Sequence, residues 1–370
     1  MLHKKLILIF ILIFIFSFSV YSAEEPTLSA RSAVLINAET KEILYEKDAF
    51  TKRSMASTTK IMTGLLACES GRLSQTVTVG DINSEGSSIG LKNGYQLTLE
   101  ALTYGMMLES GNDAAVVCAE FLAGSEEAFS FFMNDKAKEI GMTDTNFVTA
   151  SGLDSQEHYS TAYDMALLGA CAVGNPQFRE FCSVKNKRVD FIEPDISVTF
   201  SNHNKLLAWY DGVFGIKTGF TKKSGRCLVT ACERDGVVLI AVTLNAGDDW
   251  NDHRKLYDYG FEKCSQNEIF IRIPQSVKVY SGCVASVDIA LEHNPVRLAS
   301  ADSDAITQKI FLKEFLYAPI RCGDVVGKAE LYKGGQLLCS YNIIAQADVD
   351  SVLPVQKKQS IWSKIADIFN

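Results

Sequence analysis

Strand-like segments lie on both sides of a long helical stretch, and that order constrains the fold more than any other feature. Ala33–Asn37 and Ile43–Glu46 read as two strands around the polar turn Ala38–Lys41. Helical periodicity follows: Ile61, Met62, Leu65 and Leu66 mark one helix, ended by Gly71, and further helices are expected over Leu99–Leu108, Ala114–Leu122 and Ala162–Val173. Strands return at Val213–Lys217, Cys227–Glu233 and Val237–Leu244, the last two joined by an Asp235-Gly236 hairpin turn, before a helix over Trp250–Tyr259. Strands separated in this way are expected to meet in one antiparallel sheet with helices packed on it, an α+β fold.

The character changes beyond that helix. Short β-rich runs (Ile269–Ile273, Val277–Tyr280, Val284–Ile289, Ile310–Phe315, Ala329–Tyr332 and Leu337–Ile344) alternate with turn residues such as Gly282, Gly323 and Gly334-Gly335. This spacing predicts a small all-β domain without candidate catalytic residues.

The two ends carry membrane-related signals. Lys4 and Lys5, the apolar run Leu6–Phe16 and the small residues Ser22 and Ala23 read as an export signal over residues 1–23. Near the other end, Ile361, Trp362, Ile365, Ile368 and Phe369 share one helical face, with Lys357, Lys358 and Lys364 close by. That pattern predicts an amphipathic helix over 353–370 lying on a membrane surface. The expected division is 1–23 leader, 24–265 catalytic domain, 266–352 β-rich domain and 353–370 anchor. The chain is then exported and held at the outer face of the cytoplasmic membrane.

Composition mainly excludes. A net charge of −8 over 370 residues gives no footprint for nucleic acid. The ten cysteines are too dilute for a disulfide scaffold, and they form neither a CxxC pair nor a Cys/His cluster with zinc spacing. Most of them lie in apolar stretches, as small buried hydrophobes would. No metal or cofactor is expected.

Three short motifs carry chemistry. Ser57-Thr58-Thr59-Lys60 places a hydroxyl and an ammonium about one helical turn apart. Serine needs a neighbouring base to become a nucleophile, and lysine becomes one when desolvation or a second cation lowers its pKa. Ser110-Gly111-Asn112 lies between two helices; its hydroxyl can carry a proton to a departing amine and its amide can orient substrate and lysine. Taken alone, Asn112 or Asp113 there reads as an ordinary helix cap. Lys217-Thr218-Gly219 is expected where a strand turns at Gly219. Lys217 and Thr218 there can bind a carboxylate, and Gly219 leaves room for a substrate backbone.

In the order Ser-x-x-Lys, Ser-x-Asn, Lys-Thr-Gly, the chain resembles the penicillin-interacting serine enzymes, which include class A β-lactamases and penicillin-binding proteins. More closely, it is similar to the low-molecular-mass penicillin-binding proteins that are serine D-alanyl-D-alanine carboxypeptidases. The phrases that carry the likeness are ASTTKIMT (Ala56–Thr63), EGSSIGL (Glu85–Leu91), ESGNDAA (Glu109–Ala115), GLDSQEHYSTAYDM (Gly152–Met165) and GIKTGFT (Gly215–Thr221). The resemblance runs from about Leu28 to Asp350. It implies a penicillin-binding transpeptidase-like domain followed by the small β domain and the amphipathic helix.

It also implies an acyl-enzyme on Ser57 with Lys60 as base. Ser110 and Asn112 would serve proton transfer and alignment, and Lys217 and Thr218 would hold the terminal carboxylate. The backbone N–H groups of Ser57 and Phe220 would form the oxyanion hole. The implied partners are stem peptides ending in D-Ala-D-Ala, β-lactams as covalent inhibitors and a membrane surface. Some relatives carry histidine after Lys-Thr-Gly, where this chain has Phe220.

Two rivals are weaker. Gly86-Ser87-Ser88-Ile89-Gly90 matches a Gly-x-Ser-x-Gly elbow but lacks the flanking strand and helix, and His158 reads as a local structural hydrogen-bonder. A β-lactamase would need a Glu-x-x-x-Asn after Asn112, which is missing. A noncatalytic peptidoglycan-binding protein would not need all three motifs intact.

Overall fold

A computed structural model describes residues 24–265, 268–292, 296–297 and 306–352. The expected leader over 1–23 and amphipathic helix over 353–370 lie outside the described residues.

The first part of the chain is built on a five-stranded antiparallel sheet in the order β2-β1-β9-β8-β7, with β1 at Ser32–Asn37, β2 at Ile43–Lys47, β7 at Val213–Thr221, β8 at Gly225–Arg234 and β9 at Val237–Ala246. β1 pairs with β9 (Val34 opposite Val242), so the N-terminal and late strands join as expected. Strict alternation along β1 separates two cores. Val34 and Ile36 join Val229, Ile240 and Val242 under the helical layer. Ala33 and Leu35 face the other way and pack with Leu228, Leu239, Leu256 and Tyr257. Strands buried on both faces read as continuous apolar runs, which is the pattern of β8 and β9. Asp235 and Gly236 both adopt positive φ (51° and 79°), as a two-residue hairpin turn requires.

Between β2 and β7 come the short strands β3 (Thr76–Thr78) and β4 (Gln96–Thr98), the hairpin β5 (Asn186–Phe191) and β6 (Ile196–Ser201), and most of the helices. A 3₁₀ turn at Ala56–Thr59 leads into α1 (Lys60–Glu69). α2 (Leu99–Leu108), α3 (Asn112–Ala123) and α5 (Ala162–Gly174) stand where periodicity places helices. α4 (Glu126–Ile140) is not expected from the sequence. It buries only the thin stripe Phe129, Met133 and Ala137 and leaves Phe131 and Phe132 exposed, which blurs its period. α6 (Pro176–Ser183) and α7 (Leu206–Trp209) are short, and α8 (Asp249–Ser265) covers the second face, longer than expected.

The β-rich region holds a six-stranded sheet in the order β14-β16-β17-β12-β11-β15, with β11 at Ser276–Tyr280, β12 at Ser286–Leu291, β14 at Ile306–Leu312, β15 at Phe315–Tyr317, β16 at Val325–Lys333 and β17 at Gln336–Ala345; β10 (Glu268–Ile269) and β13 (Val296–Arg297) form a separate pair. Two expected runs are corrected. Ile310–Phe315 is not one strand: the chain leaves β14 before Lys313-Glu314, and β15 pairs parallel with β11. Of Ile269–Ile273, only Ile269 pairs. Both errors arise because β-branched composition marks strand tendency but not hydrogen-bond partners.

Candidate active site

Ser57 sits in the 3₁₀ turn, and Lys60 is the first residue of α1, fully buried. The Lys60 ammonium donates to Ser57 Oγ (3.0 Å), Asn112 Oδ1 (2.7 Å) and the Ser151 carbonyl (2.6 Å). Burial drives the Lys60 pKa well below its ordinary value, and the Lys217 cation adds to the effect; Asp113 and Glu126 oppose it in part.

The neighbours decide what this amine can do once it has lost a proton. An amide oxygen and a backbone carbonyl can only accept, so both remaining N–H groups go to Asn112 and Ser151. The lone pair is then left for the Ser57 hydroxyl. Asn112 is fixed in this sense because its Nδ2 donates to the Glu85 carbonyl.

The turn bearing Ser57 is held by close approaches. Ala56 has φ +49°, an uncommon conformation for a residue with a side chain. A Cβ on Gly152, itself at φ +87°, would lie 2.0 Å from the Ala56 carbonyl oxygen, so only glycine fits there. On the other side, a Cβ on Gly219 would stand 3.0 Å from the backbone nitrogens of Ser57 and Thr58. Gly219 thus lets β7 lie against the start of the helix. Lys217, Thr218 and Gly219 are in mid-strand, and β7 runs on to Thr221, which corrects the expected turn at Gly219.

Lys217 is buried, and desolvation pushes its pKa down to about 7 although Glu109 pulls it upward. Ser110, at φ +62°, lies in the link between α2 and α3. Ser57, Ser110, Thr218, Gly219 and the exposed Phe220 line a single cleft of about 480 Å³. The buried Lys60, Asn112 and Lys217 stand behind it. All three motifs therefore converge from elements far apart in the chain.

Sequence reasoning missed Asp113 as an organiser. Its carboxylate accepts from Ser88 Oγ (2.6 Å) and from the backbone N–H groups of Ile89 and Leu91 (3.0 and 3.1 Å). This clamps Glu85–Leu91 along the cleft, where Ser87 joins the lining. The elbow-like Gly-x-Ser-x-Gly is thus a rim loop, with Ser88 tied to Asp113. His158 accepts from Val148 N–H at Nδ1 and faces Thr59 Oγ1 at Nε2 (2.8 Å); burial lowers its pKa to about 4. It is a neutral structural histidine, as expected. No group of metal-ligating side chains occurs among the described residues. None of the ten cysteines is bridged, and seven are buried.

Comparison with known proteins agrees with this architecture. Residues 19–248 match the family described as D-alanyl-D-alanine carboxypeptidase, and residues 262–351 match the C-terminal domain of penicillin-binding protein 5. The D-alanyl-D-alanine carboxypeptidase DacF of Bacillus subtilis is 30% identical over 355 residues, covering 90% of each chain. The solved structure of penicillin-binding protein 5 from Haemophilus influenzae superposes with a TM-score of 0.64 at 26% identity, over 89% of this chain and 99% of that one. Penicillin-binding protein D2 from Listeria monocytogenes, solved in an ampicillin-bound form, matches with a TM-score of 0.58 at 30% identity, over 64% of this chain and all of that one. The fold is that of the penicillin-binding proteins, a transpeptidase-like domain followed by an all-β domain. The chain belongs to the D-alanyl-D-alanine carboxypeptidase family, serine peptidases of the bacterial cell wall.

Proposed function

We propose that Ser57 attacks the peptide bond of a stem peptide ending in D-Ala-D-Ala. Lys60, neutral, takes the hydroxyl proton as the Oγ–C bond forms. The oxyanion is received by the backbone N–H groups of Ser57 and Phe220, donors of a kind each worth about 3 kcal/mol. Ser110 passes a proton to the departing amine, the C–N bond breaks, and D-alanine leaves. Asn112 aligns Lys60 and the substrate; Lys217 and Thr218 hold the terminal carboxylate beside Gly219. A water molecule then cleaves the ester and frees the shortened peptide. The observation that carries this reading is the Lys60 amine 3.0 Å from Ser57 Oγ, with its other two partners able only to accept. A β-lactam presents the same carboxylate and acyl group to the cleft, and the ampicillin-bound Listeria relative supports such binding.

We further propose that residues 1–23 export the chain, 24–265 form the catalytic domain, 266–352 the β domain, and 353–370 an amphipathic helix on the outer face of the cytoplasmic membrane. The deciding experiment incubates the protein with a peptide ending in D-Ala-D-Ala and measures released D-alanine, with Ser57→Ala beside it. Release and stable penicillin labelling should both require Ser57. Absence of release by the intact protein sinks the carboxypeptidase reading, and rapid turnover of the β-lactam replaces it with a lactamase.

A further inference from the structure

At one edge of the six-stranded sheet, aromatic rings face outward instead of inward. β11 and β15 run parallel, with Lys278 opposite Phe315 and Tyr280 opposite Tyr317. The inward set is Val277, Val279 and Leu316, all buried. The outward set includes Tyr280, Phe315 and Tyr317, which are 52%, 39% and 68% exposed. Their rings touch edge to face, with centroids 5.0 Å apart for Tyr280–Phe315 and 5.5 Å for Phe315–Tyr317. Beside them Phe315, Tyr317 and Val325 line a groove of about 760 Å³ whose wall also holds Lys313, Glu314 and Asp324. Val284 and Val352 add exposed apolar surface at the same end (48% and 63%). Contiguous apolar surface of this kind marks an interaction site.

The course of the chain indicates the occupant. Val352 N–H donates to the Ser281 carbonyl, one residue beyond Tyr280, and Ile320 and Val349 exchange two backbone hydrogen bonds of 2.9 Å. The polypeptide therefore leaves the β domain beside the aromatic edge. Ile361, the first apolar residue of the amphipathic pattern, follows nine residues after Val352, at most about 30 Å away when fully extended. If Ile361–Phe369 lies on lipid, the edge is held within reach of the same surface. Tyrosine suits that position, since its ring is apolar and its hydroxyl stays wet.

We propose that Tyr280, Phe315 and Tyr317 are a second lipid contact that seats the β domain against the membrane beside the tail. The inference rests on the reading that 353–370 lies on the membrane. Charge at this edge is mixed: exposed Lys278 shares the outward face and Lys313 stands beside Glu314 and Asp324, while Arg321 is held between Asp348 and Asp350 (3.6 and 2.8 Å). The contact is thus interfacial burial of rings, while the tail lysines supply the electrostatic attraction. Its contribution to binding should persist at high salt, unlike theirs.

The test uses residues 24–370 and vesicles of equal phosphatidylglycerol and phosphatidylcholine. In a background carrying Trp209→Phe, Trp250→Phe and Trp362→Phe, which removes the native indoles, the indole introduced by Tyr317→Trp should be quenched by lipids brominated along the acyl chain, at low and at high salt. The combined substitution Tyr280→Ser, Phe315→Ser and Tyr317→Ser should weaken vesicle binding roughly tenfold with the tail intact, each ring adding a modest apolar term, while D-alanine release in solution is unchanged. An unquenched indole on bound protein, or equal vesicle affinity of the triple variant, overturns the proposal. So does lipid-free dimerisation that the triple variant abolishes, which assigns the edge to a second copy. In that same background, a lipid-free shift of the residue-317 indole emission on truncation after Pro354 also overturns it, because the tail itself then covers the edge. Vesicle affinity undiminished by that truncation, with the indole still quenched, refutes the tail as anchor and leaves the aromatic contact standing.

Discussion

The cleft and the β domain solve opposite packing problems. Behind the cleft, Lys60, Lys217, Asp113 and His158 are all buried, and their polar atoms are met by specific partners. Among the described residues of the β domain, Glu330 is the one buried charged side chain, bonded to Lys328 and Tyr332. The rest of its core is Val, Ile, Leu and Ala, with Tyr341 and Cys339. Burying charge costs stability unless every ion is paired and hydrogen-bonded. The region around the cleft accepts that cost where the proposed reaction uses a deprotonated lysine, and the β domain has no such demand. Substitution of the buried lysine at the cleft should therefore separate activity from stability, whereas substitutions in the β core should change stability alone.

The largest effect tests this directly. Lys60→Met should slow β-lactam acylation of Ser57 by about 10²–10⁴-fold, the usual range for a lost general base. The fold should hold, with a melting temperature lowered only modestly, because relief from burying the amine offsets much of the cost of leaving Asn112 Oδ1 and the Ser151 carbonyl unpaired. Stopped-flow acylation and calorimetry measure the two quantities. A variant that melts far below the parent would mean that Lys60 is primarily a structural residue, and the contrast with the β domain would fail.

Asp113→Asn comes next. It removes the charge that gathers the N–H groups of Ile89 and Leu91 and the Ser88 hydroxyl. A hydrogen bond to a charged group contributes about 1.5–3 kcal/mol, so a loss of that order in stability is expected. Acylation should fall as well, because Asn112 loses the ordered Glu85 carbonyl that orients it. Faster hydrogen exchange confined to residues 85–91 would locate the cause. A global increase would instead show that Asp113 supports the whole helical layer.

How much of this is legible in the sequence depends on what each signal encodes. The split sheet follows from apolar runs, and α2 matches its expected bounds because its apolar side is broad and its Thr98 cap is a standard start. The three motifs converge because each couples residue type to local geometry. Asp113 reads as a helix cap, and no local pattern can show that its partners lie more than twenty residues earlier. Ala56 at positive φ gives no warning either, since alanine has no preference for that region. The expected turn at Gly219 fails for a related reason: glycine often ends strands, and here it serves a close approach to Ser57.

A smaller effect concerns Lys217. Its pKa of about 7 means that the free site loses this cation as pH rises through neutrality. KM for a carboxylate-bearing peptide should rise above pH 7, by up to about tenfold per unit. Lys217→Arg should remove that limb, since guanidinium stays charged. A KM that is flat from pH 6 to 9 in the parent would show that Lys217 does not hold the carboxylate through charge.

The smallest effect distinguishes the two regions by acid sensitivity. Burial lowers the pKa of His158 to about 4 and of His253 to about 3, against 6.5 when free. Unfolded chain takes up these protons near pH 6.5 and folded chain only far below, so the stabilisation is complete above 6.5 and is lost as pH falls toward 4. From pH 6.5 to 5 each histidine should cost about 1–2 kcal/mol. Asp164 works the other way, since burial raises its pKa and the folded state gains its proton first. In the β domain, Glu330 is shifted downward by Lys328 and Tyr332, so its contribution is lost only below the ordinary glutamate range. Hydrogen exchange at pH 6.5 and 5, corrected for intrinsic rates, should therefore lose protection in β8 and β9 and keep it in β16 and β17. His253→Gln, which keeps a polar group between Thr230 and Thr243, should reduce the loss in β8 and β9. An equal loss in both sheets would mean that the two regions unfold as one unit, and acid could then no longer tell the charged cleft from the apolar β core.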